Sequence, residues 1–223
     1  MLFPIAPEGR LFVVGTAILA VLTLLNGLLD MGLFLVILTV AWMALFRDLP
    51  RRAPVSAMGV VAPVDGVVES VEKVRDPFTG KPARRIRLRQ RRLGEYNIHA
   101  PQEAKVTERV WPGKEGGGEP DAQLERRLAF ALETDEGFGM TLAVGLEHHP
   151  RMIRMQHVLP GNRVGRGKRI GFAGFGGTFE VWLPAASQIM VEPGQKVLAG
   201  ATQMGGLPEP GGGAAEGSVE VLE

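Results

Sequence analysis

The sequence predicts a mainly β domain carried behind an N-terminal pair of apolar helices, and three patterns predict it. Residues 11–46 are almost wholly apolar, interrupted only by Asn26 and Asp30 among strongly polar side chains. Residues 58–204 consist of short runs of alternating apolar and polar residues punctuated by Gly and Pro, the pattern of strands and turns. Residues 205–223 are rich in Gly, Pro and Glu, the composition of a disordered tail.

The apolar run is too long for a signal-peptide core, and no small-residue cleavage site follows it. Its halves, 11–29 and 31–46, are each slightly shorter than the roughly 20 residues a straight span needs. An ionised Asp30 at mid-bilayer would cost about 2.5–3.5 kcal/mol, a cost removed if 27–30 form a turn at the far interface. A transmembrane helical hairpin over about 11–46 follows, within an anchor of residues 1–52. Arg10 precedes it, Arg47, Arg51 and Arg52 follow it, and no Lys or Arg lies between. These basic flanks put both ends in the cytoplasm, so the expected location is the cytoplasmic membrane with the domain on its inner side. Residues 49–54, with two prolines and two arginines, read as an interfacial linker.

Strands are expected at 67–74, after the Pro63-Val64-Asp65-Gly66 turn, and at 84–91. In the second, Ile86 and Leu88 share one face while Arg85, Arg87, Arg89 and Arg91 share the other. That arginine face suits a solvated strand or anionic headgroups at the membrane surface. Further strands are expected at 105–111, at 128–132 and 138–144 around the Asp135-Glu136-Gly137 turn, and at 153–158, 179–183 and 188–191. Residues 121–127 suggest a helical turn, and 111–121, rich in Gly and Pro, a long surface loop.

A formal net charge of +1 gives no basic field for nucleic acid. Zero cysteines exclude disulfides and thiolate chemistry, and the four histidines have no zinc-motif spacing, so no metal is expected. Two positions invite chemistry. Asp65 in Val64-Asp65-Gly66 is either a turn residue or a functional carboxylate. His99 in Asn97-Ile98-His99-Ala100-Pro101 reads on its own as a surface or capping residue before a turn.

Residues 170–184 contain a glycine turn feeding a half-buried strand, and Phe175-Gly176-Gly177-Thr178 within them resembles the Phe-Gly-Ser-Thr signature of phosphatidylserine decarboxylases. Phe46-Arg47-Asp48, Trp111-Pro112-Gly113-Lys114 and Gly194-Gln195-Lys196-Val197-Leu198-Ala199-Gly200 resemble that family's other motifs in the same order. In such proteins the chain cuts itself before the serine, which becomes a covalent pyruvoyl cofactor. The resemblance assigns Asp65 and His99 to the self-cleavage triad, with His99 as base and Asp65 orienting its ring. Gly176, Gly177 and Thr178 then occupy the processing site, with Gly177 in the serine position.

A glycine has no hydroxyl to attack the preceding carbonyl, so the chain as written implies no pyruvoyl cofactor and an enzyme-like protein unable to process itself. Its implied partner is membrane lipid, anionic or aminophospholipid, and a homo-oligomer is left open. Two other readings remain. One is an active decarboxylase, with Thr178 substituting or residue 177 an engineered change. The other is a non-enzymatic barrel-sandwich adaptor, because 62–68 and 191–197 also resemble the halves of biotinyl and lipoyl domains.

Overall fold

The computed structural model describes residues 5–92, 94–110, 127–145, 153–156, 158–174 and 176–209. The expected loop at 111–121, most of the expected helical turn at 121–127 and the tail beyond 209 lie outside them.

Two antiparallel helices open the chain, α1 (Pro7–Leu25) and α2 (Leu29–Leu45). Proline at the start of α1 suits a position whose N–H has no helical partner. The turn at Asn26–Leu28 needs a positive φ, and Gly27 adopts +76°. The Thr39 hydroxyl donates to that of Thr16 across the pair at 2.9 Å. Leu11, Leu25, Leu33 and Ile37 are among many apolar side chains left exposed on both helices. At 19 residues α1 is long and apolar enough to cross a membrane, while α2 is shorter at 17.

Fourteen strands follow among the described residues, as expected of a mainly β domain. Eight form one antiparallel sheet. In spatial order they are β13 (Lys196–Val197), β2 (Gly66–Arg75), β3 (Pro82–Gln90), β11 (Thr178–Pro184), β7 (Gly139–Gly145), β6 (Arg127–Glu133), β5 (Ala104–Val110) and β9 (Arg163–Val164). A three-stranded sheet orders β4 (Asn97–His99), β10 (Arg169–Ala173) and β8 (Ile153–Met155). Another orders β1 (Gly59–Val61), β14 (Gln203–Gly206) and β12 (Gln188–Ile189).

The inner faces of these sheets share one core. Ile86 and Leu88 of β3, Leu128, Phe130 and Leu132 of β6, and Phe179, Val181 and Leu183 of β11 all enter it. Their alternation is the period-two pattern of the sequence. Strand β11 departs from the half-buried expectation, because its outer face is covered too. Glu180 and Trp182 are about as buried as its inward residues. Alanines 83, 129 and 143 on neighbouring strands make room for the Trp182 ring, with Phe78 packed alongside. Phe78 belongs to the β2–β3 loop, which is latched over the sheet by Asp76. Its Oδ1 accepts from the Phe78 and Thr79 backbone N–H groups at 3.0 and 2.9 Å, and its Oδ2 accepts from the Thr141 hydroxyl at 2.6 Å.

Glu180 sits among arginines. Arg127 forms an ion pair with it, and Arg85 and Arg87 approach it at 3.9 and 3.7 Å. Arg85 also pairs with Glu72, while Arg87 and Arg89 pair with Glu69 at 3.1 and 3.0 Å. Burial pushes the Glu180 carboxyl above its ordinary range, with Arg127 and Arg85 pulling it back.

Replacing Asp76 with Ala strands two loop N–H groups and the Thr141 hydroxyl together. The expected loss is about 1–3 kcal/mol, visible as a lower denaturant midpoint of the purified chain with an unchanged slope.

Candidate functional site

Asp65 ends the turn before β2 and is 2% exposed. Its carboxylate receives both guanidinium branches of Arg51, one of them at 2.9 Å, and the Ala199 and Glu95 backbone N–H groups at 2.9 and 3.2 Å. Burial alone would raise its pKa. Hydrogen bonds from Arg51 and Ala199, with the charge on Arg51, outweigh that and hold the carboxyl below its ordinary value.

Arg51 also lies 3.0 Å from Glu95 Oε2, close enough for an ion pair although not aligned as a hydrogen bond. One linker arginine therefore bridges two buried carboxylates. Its neighbour Arg52 is exposed, and Arg47 is partly buried.

His99, at the end of β4, is directed elsewhere than to Asp65. A carbonyl only accepts, so Nδ1 carries the proton it donates to Gly167 O at 2.8 Å. Nε2 faces Glu95 Oε1 at 3.3 Å, one helical-turn spacing back in sequence. Donation there as well is made only by the imidazolium. Gly200 runs flat against the ring, at φ +65°, where a Cβ would come 3.1 Å from Nδ1. The Asp65 carboxylate is thus joined to His99 through Arg51 and Glu95.

Glu95 continues the network outward. The Asn97 side-chain amide donates to Glu95 Oε1 at 2.9 Å and to Asp48 Oδ1 at 2.8 Å. Arg169 donates to Asn97 Oδ1 at 2.8 Å and pairs with Glu8 of α1. The hairpin base is therefore clasped to β4 and β10 at two points.

The glycine turn lies against Gln90, the last residue of β3. Gly176 adopts φ +92°, and Gly177 accepts a hydrogen bond from Gln90 N at 2.9 Å. A Cβ added to Gly177 would meet the Phe179 ring at 3.6 Å, Gly145 O at 3.8 Å and Gln90 Oε1 at 4.0 Å, all ordinary contacts. Gln90 is 3% exposed, its Nε2 donates to Ala173 O at 3.0 Å, and its Oε1 is buried without a partner. An unused acceptor and room for a side chain thus face each other at residue 177. Thr178 is already in the sheet ladder, opposite Arg89.

Arg85, Arg87 and Arg89 spend their charge on Glu69, Glu72 and Glu180, as described above. A cavity of about 430 Å³ opens at the far end of the sheet, lined in part by Phe78, Ala83, Phe138 and Pro184, and includes none of Asp65, His99 or Gly177. Sequence reasoning missed Arg51, Glu95 and Gln90 as members of this region. The one available signal was the four-residue spacing of Glu95 and His99.

The fold and this network define a β domain on an apolar helical hairpin, with a buried Asp–Arg–Glu–His chain beside a glycine turn. A sequence profile of phosphatidylserine decarboxylase matches residues 40–205. Proteins named phosphatidylserine decarboxylase proenzyme align over most of the chain. That of Nitrosomonas europaea is 32% identical over 200 residues, 87% of this chain and 91% of its own. That of Cupriavidus pinatubonensis is 31% identical over 209 residues, 92% and 96% of the two chains. That of Symbiobacterium thermophilum is 35% identical over 215 residues, again 92% and 96%. The chain belongs to the phosphatidylserine decarboxylase family, a family of phospholipid metabolism whose members use a covalent pyruvoyl group.

Arg51→Met leaves Asp65 and Glu95 buried without a cation, with an expected loss of about 3–5 kcal/mol. The pH dependence has a definite sign. A carboxyl depressed in the folded state stabilises above its unfolded pKa of about 3.9, and that contribution is lost as pH falls through the folded value. Without Arg51 the folded value rises, so the variant's acid unfolding, followed by circular dichroism, is expected to begin at higher pH than in the unaltered chain.

Proposed function

We propose that this chain is a membrane-anchored member of the phosphatidylserine decarboxylase family that remains a single uncleaved polypeptide and forms no pyruvoyl group. One observation carries the reading, the glycine at residue 177 in the register of the family's serine. Gly177 has no hydroxyl to attack the Gly176 carbonyl and no Cβ across which elimination could give dehydroalanine and then the pyruvoyl methyl. The residues present therefore do not fit the cofactor, and chemistry that depends on it is not expected. Such a protein binds aminophospholipid without turning it over, or serves a partner that does.

Thr178 as a substitute nucleophile is less well supported, because it lies one residue out of register and is paired with β3 through the sheet. The room at residue 177 and the unused Gln90 oxygen fit a chain that once carried a hydroxyl there.

Intact-mass measurement is expected to give one full-length species, and assays with phosphatidylserine to give no decarboxylation. Gly177→Ser is expected to restore slow cleavage after Gly176, and His99→Ala in that background to stop it. Slow is the expectation because His99 is aimed at Glu95 and Gly167, and a misplacement of about 1 Å can cost around 100-fold. A cleaved unaltered chain would overturn the proposal. An uncleaved Gly177→Ser chain would instead overturn the register or the role given to His99.

The same reading places both chain ends in the cytoplasm. A reporter fused at residue 60 is expected to read as cytoplasmic, and an external signal would reverse the topology.

A further inference from the structure

Two groups of arginines contrast. Arg85, Arg87, Arg89 and Arg127 are paired with glutamates on the outer face of the large sheet. Among the described residues, no hydrogen bond or ion pair engages the side chains of Arg10, Arg47, Arg92 or Arg154, and Arg47 Nε is buried without a partner.

Each of these four is tied to the hairpin base through its neighbours. Asn97, Phe172 and Arg154 lie directly opposite one another across β4, β10 and β8, so their side chains share a face. That face meets the hairpin base, where Asn97 holds Asp48 and the Phe172 ring stacks on Phe46 at 5.6 Å. Gln156, two residues beyond Arg154, reaches Glu8 of α1 at 3.4 Å. Tyr96 packs edge-on against Phe172, and its hydroxyl donates to the Arg92 carbonyl. Arg92 in turn borders the glycine turn, its Cγ lying 3.7 Å from where a Cβ of Gly176 would be. Arg47 follows Phe46, the residue that caps α2, and Arg10 follows Gly9, which is pressed against Phe46. The acids at the junction, Glu8 and Asp48, are already engaged by Arg169 and Asn97.

We propose that Arg10, Arg47, Arg92 and Arg154 form a collar around the hairpin base that docks on the phosphodiesters of an anionic leaflet, setting the Gly176–Gly177 turn at headgroup depth. The inference rests on the reading of the hairpin as a membrane anchor. Aromatic rings at the collar suit that depth, since amphipathic and aromatic side chains concentrate at the bilayer interface. Unpaired arginines beside a membrane segment are attracted to acidic lipid, each by roughly fivefold.

The test uses the full chain in zwitterionic micelles, titrated with phosphatidylglycerol and followed by amide hydrogen exchange over 92–96 and 153–156. Phosphatidylglycerol is expected to protect both segments, and phosphatidylcholine to protect neither. Arg92→Gln with Arg154→Gln is expected to weaken the apparent affinity by about 25-fold, while Arg89→Gln leaves it unchanged. Both collar residues are exposed, and an unchanged melting temperature verifies that the double variant folds. Equal titration of double variant and unaltered chain, or equal protection by phosphatidylcholine, overturns the collar. Alkaline extraction of native membranes separates the two ideas. A chain stripped by alkali overturns the anchor and the collar together, whereas an alkali-resistant chain without phosphatidylglycerol selectivity overturns the collar alone.

Discussion

Two carboxylates cannot be buried side by side without a cation, and that constraint shapes the centre of this protein. Asp65 and Glu95 come from different parts of the domain, and the cation between them comes from neither. Arg51 belongs to the short connection leaving the hairpin. Removing one partner of a buried pair costs far more than the pair itself contributes, so the connection is fixed in place. From Glu95 the constraint passes to His99 on one side and to Asn97 and Asp48 on the other. The site and the hairpin base are therefore parts of one polar network, bounded by the Phe46–Phe172–Tyr96 cluster.

A second charged assembly has a different character. On the outer face of the large sheet, Glu180 is surrounded by Arg85, Arg87 and Arg127, with Glu69 and Glu72 completing the pattern. Cross-strand pairs of opposite charge support a sheet, here around a carboxylate buried beside Trp182. The alternating arginines of β3 are thus read as the polar layer of a covered sheet. Their periodicity alone did not distinguish that role from contact with lipid.

Features that depend on local pattern were legible in the sequence. The hairpin followed from an apolar run with basic flanks, and β6 from Leu128, Phe130 and Leu132 at alternate positions. Features made by distant partners were not. Strand β4 is three residues before a proline corner and exists because β10 pairs with it. Strand β14 contains Gly205 and Gly206, which read as the start of a tail, yet both pair with β1 and β12. Arg51 looked like one more positive flank, since nothing near it in sequence reveals the carboxylates it meets. Asp65 and His99 were picked out by motif, but the intervening Glu95 could be assigned only once the fold brought Arg51 to it.

The pairing of β1 with β14 has a consequence for how the chain is made. Among the described strands the first of the domain, β1, pairs only with the last, β14, and the edge of β2 that does not pair with β3 waits for β13. Contacts of such long sequence separation form slowly, because loop closure must precede the reward of pairing. During synthesis the hairpin and the first strands emerge while their closing partners are still unmade. Until residues near 206 leave the ribosome, the edges of β1 and β2 stay open to other chains, the condition in which a nascent sheet is most prone to aggregate. A truncation before residue 203 would prolong that exposure indefinitely, so the last strand acts as the latch on biogenesis of the whole domain.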